Sequence, residues 1–65
     1  MKIPWVALHR GRFYGRASTR AVAMNLLDQP YLPGFAAVTN SNTGELWERP
    51  QGSWFKIIAA KRRPA

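Results

Sequence analysis

The sequence contains no cysteine and a single histidine, so neither a disulfide nor a Cys/His zinc site can staple a fold made from its 65 residues. A domain of this size buries only about 60% of the surface its unfolded chain exposes, so its core must be thin. Stability then has to come from packed apolar side chains. The means are present, because three Trp, three Phe and two Tyr supply large apolar area per residue. This points to one folded domain over residues 1–60, with a basic tail at residues 61–65 that has the composition of a disordered end. The sequence shows no internal repeat and leaves no room for a second domain.

Residues 5–16 alternate in the manner of a β-hairpin turning at Arg10-Gly11. The alternation puts Val6, Leu8 and Phe13 on an apolar face, and Trp5, Ala7, His9, Arg12, Tyr14 and Arg16 on an aromatic and basic one. A two-residue loop needs φ > 0 at both central positions, which Gly11 accepts readily and Arg10 does not. A one-residue slip in register would exchange inside for outside. Ser18 or Thr19 reads as the N-cap of a helix over residues 19–28. Its apolar stripe is Val22, Ala23, Leu26 and Leu27, with Ala21, Met24, Asn25 and Asp28 on the other side. Pro30 disfavours helical geometry at Gln29 and ends the element. Arg20 in the first turn and Asp28 in the last both oppose the helix dipole, which marks them for some other role.

Tyr31-Leu32-Pro33-Gly34 connects to a second β region. Residues 35–39, the turn Ser41-Asn42-Thr43-Gly44 and residues 45–49 form a hairpin with Gly44 at the left-handed position. After a turn at Pro50-Gln51-Gly52, residues 54–60 form a last strand in which Phe55, Ile57 and Ala59 alternate with Trp54, Lys56 and Ile58. A strand apolar on both faces predicts a central place in the sheet. The architecture that follows is α+β: a single short helix packed on one face of a small, mainly antiparallel sheet, in the order β-β-α-β-β-β. Val6, Leu8, Phe13, Phe35, Leu46, Phe55 and Ile57 are the expected helix-covered face, and Trp47 and Trp54 are expected in the core.

Ten Lys and Arg against three acids give a net charge of +7. Residues 1–27 hold Lys2, Arg10, Arg12, Arg16 and Arg20 and no acid, and Lys61, Arg62 and Arg63 stand near the end. Residues 28–60 sum to −1, from Asp28, Glu45 and Glu48 against Arg49 and Lys56. Charge segregated in this way steers acidic partners. Arginine forks pair with phosphate oxygens, and exposed aromatic rings give bases a surface for stacking. The expected binding surface is Trp5, His9, Arg10, Arg12, Tyr14, Arg16 and Arg20, with Lys61, Arg62 and Arg63 as a phosphate-contacting arm. The sequence therefore reads as a nucleic-acid-binding module, phosphate-led and with little base specificity, since it lacks an RNP-type aromatic motif, a helix-turn-helix pair and zinc ligands. The alternative is a small modulator that docks on an acidic protein surface, with Tyr31 and Leu32 as apolar anchors.

Other classes fit poorly. One histidine and three carboxylates, with Glu45 and Glu48 three apart on a short strand, provide no general acid/base pair. No Gly-rich phosphate loop precedes the helix, so neither catalysis, a cofactor nor a small-molecule substrate is expected. His9 has no neighbouring ligand for a metal. No apolar run reaches the roughly 18 to 20 residues that span a bilayer, no secretory leader is evident, and the helix lacks a basic face opposite its apolar one. A cytoplasmic protein without a membrane role is the expectation.

The order of hairpin, short helix and then Tyr31-Leu32-Pro33-Gly34-Phe35 resembles the small phage-encoded inhibitors of bacterial RNA polymerase over about half the chain. That resemblance implies a protein-binding modulator of a host machine. Those inhibitors are acidic in part, whereas this chain has no acid before Asp28, so the resemblance carries a class of function and not a mode of docking.

Overall fold

A computed structural model describes residues 3–59. Its elements are β1 (Trp5–His9), β2 (Arg12–Ala17), α1 (Arg20–Leu27), β3 (Ala36–Asn40), β4 (Leu46–Gln51) and β5 (Ser53–Ile58). The strands form one antiparallel sheet in the order β2-β1-β3-β4-β5, so the α+β architecture and the β-β-α-β-β-β order are as the sequence predicts. The tail at residues 61–65 lies outside the described residues.

Local chemistry accounts for the element ends. The Thr19 hydroxyl accepts the Val22 N–H at 3.3 Å and caps α1, satisfying one of the donors a helix start leaves unpaired. The first hairpin turns on Arg10 at φ 53° and Gly11 at φ 82°, the pair of left-handed residues that matches strand twist. Arg10 is held there by its N–H bond to the Phe35 carbonyl at 2.9 Å. In the β3–β4 turn the Asn40 side-chain oxygen accepts the N–H groups of Asn42 and Thr43, and Gly44 takes φ 77°.

Directly paired residues share a face of the sheet. On the helix side, Gly15, Ala7, Val38, Trp47 and Lys56 make one row across all five strands, and Ala17, Trp5 and Asn40 another. On the other side run Phe13, Leu8, Ala37, Glu48 and Phe55, and next to them Arg16, Val6, Thr39, Leu46 and Ile58. α1 covers the first side only; its backbone lies over β1, β2 and β3, and it meets β4 through the side chains of Arg49 and Trp47. The core is Trp5, Ala7, Ala17, Ala23, Leu27, Ala36 and Val38, in which Leu27 and Val38 are the largest fully buried side chains.

This inverts the expected covered face. Phe13 is 62% exposed, Phe55 54% and Ile57 51%; Phe35 is also exposed, and Val6, Leu8 and Leu46 are only half-buried. Alternation fixes which residues share a face but not which face a helix takes. Here the helix takes the face of small residues, where a Cβ added to Gly15 would lie 3.6 Å from Leu26 Cδ1. That distance is ordinary contact, and the small residues Ala7, Gly15, Ala17 and Ala36 leave the helix backbone room to approach. The extra residue in β2 is Tyr14, bulged between the pairs Ala7/Gly15 and Leu8/Phe13.

Two further corrections follow. Val22 is 48% exposed, and half-buried Met24 packs on the core, so the helix is rotated by about one position from the expected stripe. β5 is an edge strand, and β3, short and rich in small residues, holds the centre. Trp47 and Trp54 pack against the core as expected.

Arg49 ties the pieces together. Buried on β4, it donates to the carbonyls of Leu27 at 3.0 Å, Leu32 at 2.9 Å and Gly34 at 3.4 Å, and to Asp28 Oδ1 at 2.5 Å. The Trp54 indole N–H reaches both oxygens of the same carboxylate at 3.2 Å. Asp28, unfavourable at a helix C-terminus by itself, is thereby compensated.

Candidate nucleic-acid interface

The basic residues divide into those the fold uses and those it leaves unpaired. Arg20 lies 3.8 Å from Glu45 Oε2 and stacks on Trp47, its guanidinium carbon 4.2 Å from the ring centroid. Lys56 sits over the same ring at 5.5 Å, and the Trp47 indole N–H donates to Glu45 at 2.5 Å. His9 Nε2 is 2.8 Å from the Pro33 carbonyl, and Arg49 is consumed by the clamp just described. Trp5 is buried beneath the helix. Trp5 therefore leaves the expected binding surface for the core, while half-buried His9 and Arg20, whose side chain stays 44% exposed, each meet a partner in the fold that spacing alone does not reveal.

Arg10, Arg12 and Arg16 remain. All three are exposed and, among the described residues, none lies within ion-pair distance of an acid. Arg10 stands at the hairpin tip, packed over Gly34, where a Cβ would come within 3.1 Å of its guanidinium nitrogens. Arg12 pairs with His9 on the helix side of the sheet, and Arg16 pairs with Val6 on the open side. The Arg16 guanidinium carbon is 6.0 Å from the centroid of the exposed Phe13 ring. Tyr14 is exposed at the bulge, and a hydrogen bond with the Tyr31 hydroxyl, helped by partial desolvation, raises its pKa above the ordinary 10.0. Lys61, Arg62 and Arg63 lie outside the described residues.

The sequence reading missed the open face as a surface in its own right, although it grouped the residues that form it. Its two halves differ. Over β2 and β1 it presents Phe13, Arg16, Leu8 and Val6; over β4 and β5 it presents Leu46, Glu48, Phe55 and Ile58. Cation and acid thus sit on opposite halves. A shallow cleft of about 270 Å³ lies between the loop after α1 and the β4–β5 turn, and its charged group, Arg49, is already saturated by four acceptors. Among the described residues there is no cluster of three or more His, Cys, Asp or Glu able to hold a metal, and no helix long and apolar enough to cross a membrane.

Comparison with protein-family models, with curated proteins and with solved structures finds no match.

Proposed function

We propose that the protein is a small nucleic-acid-binding module whose first hairpin grips the phosphate backbone, with Phe13 offering a ring to an unpaired base. The observation that carries this reading is the sorting of charge. Two of the three acids are engaged by Arg20 and Arg49, while among the described residues Arg10, Arg12 and Arg16 stand on one exposed hairpin without an acid partner; the Tyr14 bulge puts only Arg16 on the face of Phe13 and turns Arg12 to the opposite one, where the sequence predicts a shared face. Guanidinium groups left without a carboxylate match the planar oxygens of phosphate, and an exposed ring next to them matches the face of a base. Single strands suit this geometry better than duplex, because a flat sheet can receive splayed bases while a closed duplex offers only its backbone.

The test is an oligonucleotide titration with the double variant Arg12→Ala/Arg16→Ala. Three phosphate contacts on a single strand give a log-log salt slope near −2, at about −0.7 per contact. The double variant should melt near the parent temperature, bind at least about tenfold more weakly at about 50 mM salt and keep a slope near −0.7. Failure of the parent to bind single-stranded DNA or RNA at that salt refutes the reading. A second reading, a modulator docking on another protein, is favoured by the aliphatic residues of the open face, Val6 and Leu8 on β1 and Leu46 on β4. A partner kept after nuclease treatment and lost on Leu8→Asp would support it over the first.

A further inference from the structure

An extra residue in a strand re-aims the side chains on either side of it. Strict alternation over residues 12–16 would put Arg12 and Arg16 on one face. The Tyr14 bulge puts them on opposite faces, Arg12 beside His9 on the helix side and Arg16 beside Val6 on the open side. Their partners are three ladder steps apart on β1, or about 10 Å along the strand. β2 is the last strand on its side of the sheet, so the place that both guanidinium groups can reach together is its free edge. The backbone of that edge is available too. Hydrogen bonding along an antiparallel strand alternates between its two neighbours. The bonds from Arg10 N–H to Phe35 and from Ser41 N–H to Pro4 continue the β1–β3 register, which puts the backbone groups of Val6 and Leu8 toward β3 and those of Ala7 and His9 toward β2. Gly15 and Arg12, opposite Ala7 and His9, therefore face inward. Phe13 and Arg16, opposite Leu8 and Val6, turn their N–H groups to the free edge, and both residues are exposed. Among the described residues no turn or loop carbonyl meets either N–H.

We propose that a single-stranded nucleic acid runs lengthwise along the free edge of β2, its phosphates gripped from the two sides by Arg12 and Arg16 and met between them by the N–H groups of Phe13 and Arg16. This path rests on the nucleic-acid reading and deepens it. Charge selects the occupant. Arg10, Arg12 and Arg16 gather on β2 and its turn, and among the described residues no acid lies within ion-pair distance of them, so the ligand that satisfies them carries negative charge repeated along the line of the strand. A peptide added to the edge in the usual way would use the backbone groups and leave the guanidinium groups without counter-charge. The carbonyls of Phe13 and Arg16 share the edge and repel phosphate; they find partners in the N–H donors of bases, which a nucleic acid supplies and a bare anion does not. The ring of Phe13 lies on the open face beside this path, so a base turned to that side stacks while its phosphate stays at the edge. A strand laid across the open face instead would meet Arg16 and leave Arg12 on the wrong side of the sheet.

The test titrates the full chain with a mixed-sequence single-stranded oligodeoxynucleotide of about eight nucleotides. In NMR spectra the amide signals of Phe13 and Arg16 should move, and those of Glu48 and Phe55, on the far half of the open face, should stay. Arg12→Ala and Arg16→Ala should each melt near the parent temperature, bind about threefold more weakly at about 50 mM salt and lower the salt slope by about 0.7. Lys56→Ala, which removes the same charge from the other half of the sheet, should leave both quantities near those of the parent. If Arg12→Ala binds like the parent while Arg16→Ala is weakened, the edge path is overturned and nucleic-acid binding stands. Amide shifts that spread over Leu8, Glu48 and Phe55 and spare Arg16 overturn the path as well. An equal loss in Lys56→Ala also overturns it, because net charge alone would then attract the oligonucleotide. A parent that does not bind overturns the path together with the reading beneath it.

Discussion

Replacing Arg49 with Met should be the most damaging single change in the protein. The guanidinium is buried and bonds to Leu27, Asp28, Leu32 and Gly34. An apolar isostere often substitutes for a buried ion pair at no cost, but here three of the four acceptors are backbone carbonyls that no side-chain change can remove. The buried Leu27 carbonyl alone loses a partner worth about 1–3 kcal/mol, and the loop tethers at Leu32 and Gly34 go with it. Asp28, 43% exposed, can turn to water and adds little. The sum is about 3–5 kcal/mol, against a total stability of about 3–10 kcal/mol for a chain of this length. At about 4–8 °C per kcal/mol, the melting temperature should fall by roughly 12–40 °C. Urea titration followed by tryptophan fluorescence reads this directly, since the Trp54 ring centroid is 5.6 Å from the Arg49 guanidinium carbon. Arg49→Lys, which keeps the charge but not the fork, should recover less than half of the loss. If Arg49→Met lies within about 1 kcal/mol of the parent, the clamp does not hold the fold and the reasoning fails.

Leu27→Ala should cost about 2–5 kcal/mol, because the side chain is fully buried, and Val22→Ala less than about 0.5 kcal/mol; equal losses in thermal melts would mean that α1 faces the sheet differently. Tyr14 should ionise above 10.0 in an absorbance titration of tyrosinate, and Tyr31→Phe should return it toward the ordinary value. Since its pKa in the fold is raised, the native state favours the protonated phenol; that preference is present below the unfolded pKa and is lost as pH rises through the folded one, so the contribution of Tyr14 disappears on the alkaline side.

Local chemistry was the legible part of this fold. The Thr19 cap and the left-handed Gly44 follow from a residue type and its immediate neighbours, whereas Arg10 in the first turn takes φ 53° against its own preference and is held by the distant Phe35 carbonyl. Which face the helix covers did not follow, because Val6, Leu8 and Phe13 alternate with Trp5 and Ala7 equally well in either orientation. The deciding quantity is bulk: Ala7, Gly15, Ala17 and Ala36 let a helix approach, and the larger set does not. β5 was misplaced for a related reason, since apolar residues on both faces do not by themselves enforce burial, and Phe55, Ile57 and Ile58 stand exposed at the sheet edge. The candidate surface was half legible. Spacing put Arg12 and Arg16 on an exposed hairpin, but it could not show that Arg20 would be absorbed by Trp47 and Glu45, nor that His9 would meet the Pro33 carbonyl, because those partners are distant in sequence.

That the backbone of α1 stops short of β4 and β5 has a consequence for how the molecule opens. β1, β2, β3 and α1 share the buried cluster, whereas the last hairpin hangs on the β3 ladder, the Arg49 bonds and the flanking indoles of Trp47 and Trp54. Amide protons of β1 and β3 should exchange with solvent only through global unfolding, and those of β5 through detachment of the terminal hairpin as a unit at lower free energy. The protein thus has two cooperative blocks of unequal strength, and the weaker one carries the exposed Phe55, Ile57 and Ile58.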